Sequence, residues 1–419
     1  MTDNDRQLKK DTEKEAEVPL VIGLDAHSEK LVFSFFRKGT DEASHECLRR
    51  RTVHIADLET FASRHIRPQD VTALEASTNS FSIAERMERI GLTAYVVNSE
   101  AVACYGKRYH VTDEGDADNL ARYYMSGCAE VVWKPDPKSR HYRDIFFGYR
   151  NARKDKVRTS NRIWAFGSGH GLKSFSKSKF DGDVESAVVH LSGLALGEED
   201  KWLLGLLLED WRHAAEAHAT FKKRMAEIAV ASPDMLKLMQ ILGLSLVVSF
   251  ALVAFIGDIT RFKTHKKLVT YIGLNPSVVG SGKTVGKGHL VQNGRGDLRS
   301  LLVQGAQAAM RYGKDPVHRW AYRLSMRKPK NVSIVALARK MTTYAWHVLM
   351  GHPSPLKEAP KAFKTKMLKL ATILGREHVR QTGFKNASAF VDALTEKVFG
   401  PPPAQPTGTE LQTVSLASA

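Results

Sequence analysis

The feature that most limits how this chain can fold is a series of short, β-rich apolar segments near the N-terminus. Val21–Asp25 and Leu31–Arg37 are such segments, and the polar stretch Ala26–Lys30 separates them. This pattern is typical of a β-hairpin. A third strand is predicted at Cys47–His54. The chain is therefore expected to begin as an antiparallel sheet.

After the third strand, the apolar pattern alternates between two periods. Ala56–His65 and Phe81–Ile90 repeat apolar residues at helical spacing, whereas Val71–Glu75 and Thr93–Val97 are short strand-like runs. The predicted order is β-β-β-α-β-α-β, which indicates an α/β domain over residues 19 to about 135. The ribonuclease-H-like (RuvC-like) fold begins in this order, and we expect that fold here.

A strongly basic helix is predicted from Tyr142 to Ala165, with aromatic residues interleaved among the cations. Such a face suits a phosphate backbone. An ordinary solvated helix face that packs its aromatic residues inward is the alternative. The residues proposed to contact nucleic acid on this helix are Arg150, Arg153, Arg158 and Arg162.

The rest of the chain is predicted to be mainly α-helical. Apolar spacing from Glu198 to Ile228 predicts one long, coiled-coil-like helix that could join two protomers. The expected boundaries are a disordered leader (1–18), the RuvC-like domain with its basic extension (19–165), a linker (166–196), the coiled-coil-like helix (197–232), a serine-bearing domain (233–352), a helical segment (353–399) and a disordered tail (400–419).

Charge and targeting signals limit the partners and the location. Lys and Arg number 62 against 45 Asp and Glu, a formal charge of +17, which favours a polyanion such as nucleic acid. The three cysteines lack zinc-binding spacing, and the first residues lack a secretory signal, so a cytoplasmic, nucleoid-associated protein is expected. The apolar stretch Leu238–Ile256 contains several polar residues, so we interpret it as a buried helical hairpin rather than a membrane span.

Four carboxylates are candidates for catalysis. Asp25 and Glu75 fall at the ends of predicted strands, so both could project toward one site. Asp113 and Asp116 lie three residues apart at the start of a predicted helix, with Thr112 as its N-cap. Acids there also stabilise a helix N-terminus, which is a complete alternative. Metal-dependent phosphodiester chemistry needs several oxygen ligands, which gives four acids a reason to converge.

A glycine-rich basic loop is the second candidate site. The glycines of Gly280–Lys283 leave the Ser281 hydroxyl unobstructed as a nucleophile, although such a segment is far more often a simple turn. The spacing GxxxxGKS/T of a nucleotide-binding phosphate loop is not met. The cations expected to offset phosphate charge around this loop are Lys283, Lys287, Arg295 and Arg299.

Taken together, these segments resemble the DEDD-type transposases of the insertion-sequence-110 class, including its 1111 branch. Five blocks carry the resemblance in the family's order, over about residues 19 to 350. The matching blocks are Gly23–Lys30, Leu74–Ser77, Thr112–Ala121, Gly273–Pro276 with Ser281–Gly282, and Leu298–Ala306.

The resemblance implies both a chemistry and an assembly. Asp25, Glu75, Asp113 and Asp116 would be the ligands of Mg²⁺ or Mn²⁺ in a RuvC-like domain. Ser281 would attack DNA and form a covalent phosphoserine. The partners implied are donor and target DNA, a structured bridge RNA that pairs with both, and further copies of the chain in a tetramer.

The chain departs from the family pattern at three places. Gly280–Gly282 stands where members often have SSG, so only Ser281 can be the nucleophile there. Ile241–Ser245 stands where members commonly have a PGIG turn that resembles a helix-hairpin-helix, and Gln292 and Asn293 replace an expected lysine and arginine. Three rival functions remain open: a Holliday-junction-type nuclease that uses metal-activated water, an actin-like ATPase, and a catalytically silent nucleic-acid-binding protein. The absence of later glycine-rich phosphate loops argues against the ATPase.

Overall fold

The computed structural model describes residues 18–37, 47–105, 112–171, 196–276, 280–281, 284–285, 290, 293–313, 316–352 and 360–400. The expected disordered leader and tail, and most of the expected linker, lie outside these residues. The chain divides into two compact units, Met1–Lys134 and Pro135–Ala419. The basic helix, expected as an extension of the sheet domain, lies in the second unit.

The first unit contains a five-stranded mixed sheet in the order β3-β2-β1-β4-β5. Strands β1 and β2, and β2 and β3, pair antiparallel, whereas β1 with β4 and β4 with β5 pair parallel. The predicted order of elements along the chain, β-β-β-α-β-α-β, is confirmed. The strands are β1 (Leu20–Ala26), β2 (Lys30–Arg37), β3 (Cys47–His54), β4 (Val71–Glu75) and β5 (Thr93–Val97).

Helices cover both faces of this sheet. They are α1 (Leu58–His65), α2 (Ser80–Arg89), α3 (Ser99–Tyr105) and α4 (Asp113–Met125). Because side chains alternate along a strand, Ile22 and Leu24 of β1 join the core on one face, whereas Val21 packs with Ala121 of α4 on the other. Gly23 and Asp25 therefore lie on the face that α4 covers.

Among its described residues, the second unit is almost entirely helical. Its helices are α5 (Pro137–Gly169), α6 (Glu198–Ala231), α7 (Pro233–Met239), α8 (Leu246–Ile256), α9 (His265–Ile272), α10 (Gly296–Tyr312), α11 (Pro316–Ser325), α12 (Lys330–Leu349), α13 (Pro360–Leu374), α14 (Arg376–Gln381) and α15 (Ala387–Phe399). Two short strands, β6 (Gly280–Ser281) and β7 (Thr284–Val285), form a hairpin. This arrangement, an α/β unit and then a mainly helical one, agrees with the predicted layout.

The two long helices α5 and α6 pack against each other within one chain. Asp136 caps α5 by accepting a hydrogen bond from the Ser139 amide at 2.9 Å, and Pro137 occupies the first turn, which is the usual start of a helix. Trp211 of α6 is fully buried beside Ile163 of α5. The helix predicted from Glu198 to Ile228 is therefore present and continues to Ala231.

The apolar segment Leu238–Ile256 is buried. It contains the end of α7, a turn and all of α8, and its large side chains, such as Phe250 and Phe255, are inaccessible to solvent. The interpretation as a buried helical hairpin is confirmed. In the part of the chain that the structure describes, no helix has both the length and the apolar character needed to cross a membrane.

Candidate functional site

The candidate site lies at one edge of the sheet, where β1 and β4 end. These strands run parallel, and Leu24 pairs with Leu74, so Asp25 and Glu75, the next residues, occupy neighbouring positions at the same edge. Both carboxylates are partly buried. The expectation that two strand ends would present these acids together is met by the register of the sheet.

Helix α4 brings two more carboxylates to this edge. The Thr112 hydroxyl accepts a hydrogen bond from the Gly115 amide at 3.1 Å, as expected of an N-cap. Asp113 and Asp116 both lie in the first turn that this cap begins. Residues three apart lie on the same side of a helix. Both carboxylates consequently act electrostatically on Asp25.

A glycine on β1 lets α4 lie this close to the sheet. A Cβ atom added at Gly23 would lie 1.8 Å from the carbonyl oxygen of Ala117, much closer than any non-bonded contact allows. Only glycine therefore fits at this crossing. Because Gly23 is two residues before Asp25, the contact that fixes α4 also fixes the distance between its acids and Asp25.

The other two acids of this helix segment have a structural partner. The Arg50 guanidinium donates hydrogen bonds to both carboxylate oxygens of Asp118, at 3.2 and 2.5 Å, and lies 3.7 Å from Glu114. Asp118 is buried, so its charge is compensated by this bidentate pair. Helical spacing thus directs Asp113 and Asp116 to the sheet edge and assigns Glu114 and Asp118 to the pairing with β3.

His27 also belongs to this site, although it was not among the predicted residues. Its Nε2 atom lies 3.1 Å from Asp25 Oδ2 and 3.4 Å from Asp113 Oδ1. Ligand atoms of Asp25, His27 and Asp113 lie within 4.8 Å of one another, an arrangement that could hold a metal ion. The available signal was the position of a histidine two residues after Asp25, in the turn that leads to β2.

The electrostatics of the site show closely placed negative charges. Burial raises the pKa of Asp25; His27 opposes this shift, and Asp116 and Asp113 add to it. Burial also raises the pKa of Glu75, with repulsion from Asp25 and Asp116 in the same direction. Lys30 donates a hydrogen bond to Asp113, at 2.5 Å, and lowers the pKa of that carboxyl. A cation among these groups would relieve the repulsion.

Comparison with known proteins gives independent information on the chain's relatives. Residues 235–323 match the family model described as transposase IS116/IS110/IS902 family. The transposase for insertion sequence element IS1111A of Coxiella burnetii is 22% identical over 263 residues, which cover 62% of this chain and 72% of that protein. The chain is thus similar, over these stretches, to transposases of the IS116/IS110/IS902 family. The DEDD set and the guide RNA, also implied by the resemblance, remain predictions.

A second relative matches over a shorter stretch. The probable family 20 transposase of Pseudomonas aeruginosa is 32% identical over 116 residues, which cover 27% of this chain and 34% of that protein. The residues that match the family model, 235–323, are called the family-matched segment below. This segment includes the hairpin β6–β7.

Within the family-matched segment, the structure describes the backbone of Ser281 but not its side chain. Gly280 and Ser281 pair with Val285 and Thr284 in the antiparallel hairpin. The Ser281 side chain, and all of Lys283 and Lys287, lie outside the described residues. The nucleophilic role of Ser281 therefore stays a prediction.

The two other cations of this loop region make contacts inside the family-matched segment. Arg295 forms an ion pair with Asp297 at 2.8 Å, and its guanidinium lies 4.2 Å from the centre of the Phe255 ring. Arg299 donates hydrogen bonds to the carbonyl oxygens of Gly273 and Asn293, both at 3.3 Å. These contacts stabilise the ends of α8, α9 and α10.

The proposed basic residues of α5 lie together along one open groove of about 770 Å³. Arg158 is well exposed and forms an ion pair with Asp155 one turn earlier, at 3.0 Å. The guanidinium of Arg150 lies 5.0 Å from the centre of the Phe147 ring. The groove is lined by the whole predicted set, which is Arg150, Arg153, Arg158 and Arg162.

Proposed function

We propose that this chain catalyses transposition by cutting and rejoining DNA with metal-bound carboxylates and a serine nucleophile. The observation that carries the proposal is the convergence of Asp25, Glu75, Asp113 and Asp116 from β1, β4 and α4 at one sheet edge. Partly buried acids that repel one another have little value for packing. The strand order of the first unit supports assigning it to the ribonuclease-H-like (RuvC-like) fold.

The donor set fits a divalent cation. Carboxylate oxygens are the ligands preferred by Mg²⁺ and Mn²⁺. Burial, and then the neighbouring carboxylates, raise the pKa of Asp25 and Glu75, so a bound cation would stabilise their charged forms. Asp25, Glu75, Asp113 and Asp116 would hold the ion, and His27 would add a nitrogen ligand that favours Mn²⁺ over Mg²⁺. The bound ion would stabilise negative charge on the scissile phosphate.

Ser281 supplies the proposed nucleophile. Its hydroxyl oxygen would bond to the scissile phosphorus and lose its proton to solvent, while the bond to the leaving strand breaks and that strand departs as a hydroxyl after taking up a proton. The reverse reaction with another strand's hydroxyl would restore the serine and join the DNA. The match of residues 235–323 to a transposase family model supports this assignment.

The proposed partners are donor and target DNA, a bridge RNA and further copies of the chain. The charge of +17 and the basic groove on α5 support nucleic-acid binding. Exposed apolar residues at the start of α6, namely Trp202, Leu203 and Leu206, support contact with another protomer. Base pairing with the RNA would supply the sequence specificity that a charged protein surface lacks.

The proposal is tested with the full-length protein and DNA that carries the ends of its own insertion sequence. With Mg²⁺ or Mn²⁺, we expect cleavage and a protein–DNA adduct that survives denaturation and maps to Ser281 by mass spectrometry. Ser281→Ala should abolish the adduct and strand joining, whereas Ser277→Ala, four positions earlier, should retain both. RNA that co-purifies with the protein is sequenced in parallel.

A second candidate function is a nuclease that hydrolyses DNA with metal-activated water. The acidic site is the part of the catalytic apparatus whose side chains the structure describes, and such a nuclease would need nothing more. Full strand joining by Ser281→Ala would favour this candidate and contradict the serine mechanism. Unchanged cleavage by Asp116→Asn, with Glu114→Gln as the matched acid control on α4, would exclude both functions.

A further inference from the structure

A cavity of about 630 Å³ lies inside the second unit, between α5, α6, α10 and the start of α8. Two glycines allow the turn before α8 and helix α10 to lie in contact at its edge. A Cβ atom at Gly243 would lie 2.6 Å from the Gly305 carbonyl oxygen, and one at Gly305 would lie 2.4 Å from the Gly243 carbonyl oxygen. Gly243 has a φ of +88°, which also favours glycine. The turn before α8 therefore lies directly against α10.

The lining of this cavity is positively charged. Arg153 and Lys156 of α5 and His218 of α6 face it. Among the described residues, neither Arg153 nor Lys156 forms an ion pair with a carboxylate. The acids of the surrounding helices are absent from the lining, and three of them have cations nearby: Asp155 with Arg158, Glu209 with Arg212 and Asp297 with Arg295.

The pKa of His218 reflects the electrostatic field inside the cavity. Burial and then Lys156, Lys222 and Arg153 lower the pKa of His218 to about 4. Burial and Lys156 also lower the pKa of Lys222. The ring of His218 packs against Tyr149, with 4.9 Å between ring centres. Burial and the surrounding cations thus keep this imidazole neutral, and no carboxylate is among the groups that shift its pKa.

Neutral groups that donate hydrogen bonds complete the lining. Ser245 is the N-cap of the eleven-residue helix α8 and makes no capping hydrogen bond with its side chain, and Val247 and Val248 of the first turn line the cavity. The backbone amides of this turn have no partner within the helix, and the helix dipole is positive there. Gln304 of α10 adds an amide group on the opposite wall.

We propose that this cavity binds a phosphodiester segment of a nucleic-acid backbone, held by Arg153, Lys156 and the amino end of α8. This inference rests on the proposed function because it assumes a nucleic-acid substrate. The volume is that of a site for a small molecule or a nucleotide-sized segment rather than for a single ion. The same phosphodiester chemistry occurs in DNA and in RNA, so the experiment must distinguish these sources.

The first test observes His218 by NMR in full-length protein with ¹³C-labelled histidine, without metal, at about pH 5.5. Without nucleic acid, His218 is expected to be neutral. At saturation with a DNA duplex or an RNA oligonucleotide of equal length, the bound phosphate should raise the pKa of His218 and protonate it. The NMR signals of His54, which is exposed in the first unit, serve as the control and should not shift. A neutral His218 at saturation with both nucleic acids would overturn the proposal.

The second test measures how salt weakens binding of each nucleic acid. Lys156→Gln should reduce the slope of log affinity against log salt by about 1, the contribution of one phosphate contact. Arg212→Gln on α6 removes the same charge outside the cavity and should leave the slope unchanged. Equal slopes for the two variants, or a slope unchanged from wild type in Lys156→Gln, would contradict the proposal.

A third variant tests the same cavity by adding a charge rather than by removing one. Gln304→Glu places a carboxylate in the cavity and should protonate His218 without any ligand while weakening nucleic-acid binding. All these measurements use metal-free protein and no DNA cleavage. Failure of the cavity proposal would therefore leave the metal-dependent chemistry untouched, and failure of that chemistry would leave these binding results valid.

Discussion

At the scale of single residues, the acidic site is a set of like charges whose proximity in the folded protein reduces the free energy of unfolding. Asp25 and Glu75 are held partly buried beside other carboxylates, and this raises the pKa of both. The sequence predicted these acids because each ends a β-rich run. It did not predict His27, because a histidine in a polar turn has no distinctive periodicity and its contacts with Asp25 and Asp113 arise only from the folded turn.

The substitution Glu75→Gln tests this effect on the free energy of unfolding. Because the pKa of Glu75 is raised above its ordinary value of 4.5, the folded state holds the proton more tightly than the unfolded chain. The free energy of unfolding is therefore reduced once the pH has risen above the folded pKa. At neutral pH and without metal, Glu75→Gln should unfold a few degrees higher than wild type, on the order of 2–4 °C per kcal/mol.

The same variant should lose most of the stabilisation that Mn²⁺ gives the wild type, because a neutral amide is a weaker ligand than a carboxylate. Thermal unfolding in a chelator and in Mn²⁺ measures both effects. Glu114→Gln, which changes the acid that faces Arg50, is the control and should keep the metal response. Metal stabilisation of Glu75→Gln equal to that of wild type would remove Glu75 from the site.

At the scale of secondary-structure elements, the site depends on how α4 crosses β1. Apolar alternation predicted the strands closely, and β3, β4 and β5 have the predicted bounds. The N-cap Thr112 was predicted because hydroxyl capping is a local property of sequence. The crossing at Gly23 was not predicted, because a glycine required by a distant helix looks like any other glycine in a strand.

Gly23→Ala should displace α4 from the sheet. The added methyl group would overlap the Ala117 carbonyl oxygen, and overpacking of this kind costs about 1–3 kcal/mol. Asp113 and Asp116 would move away from Asp25 together with the helix, so Mn²⁺ affinity measured by calorimetry should fall at least about tenfold, which corresponds to about 1.4 kcal/mol.

Gly205→Ala is the matched control for this substitution. A Cβ atom at Gly205 in α6 meets nothing within 4 Å, and alanine stabilises a helix interior by about 1 kcal/mol relative to glycine. Its Mn²⁺ affinity should equal that of the wild type. Wild-type affinity in Gly23→Ala would contradict the view that this crossing positions the acids.

At the scale of the whole molecule, the sequence predicted an α/β unit followed by a mainly helical one, and this layout is observed. The first domain was expected to extend to residue 165 and to include the basic helix. In the structure this helix packs with α6 in the second unit. Composition did not reveal this, because a helix is assigned to a unit by the core that its apolar face joins. That Ser281 acts together with the acids is a prediction from family resemblance, since local patterns carry no information on contacts between distant segments.

Everything proposed for the chemistry requires that acids from three separate elements form one metal centre. A crystal structure of the full-length protein soaked with Mn²⁺, recorded at a wavelength where manganese scatters anomalously, tests this most directly. We predict an anomalous peak within coordination distance, about 2.0–2.3 Å, of carboxylate oxygens from β1, β4 and α4. Manganese bound elsewhere, with Asp25, Glu75, Asp113 and Asp116 left without metal at saturating concentration, would contradict the account.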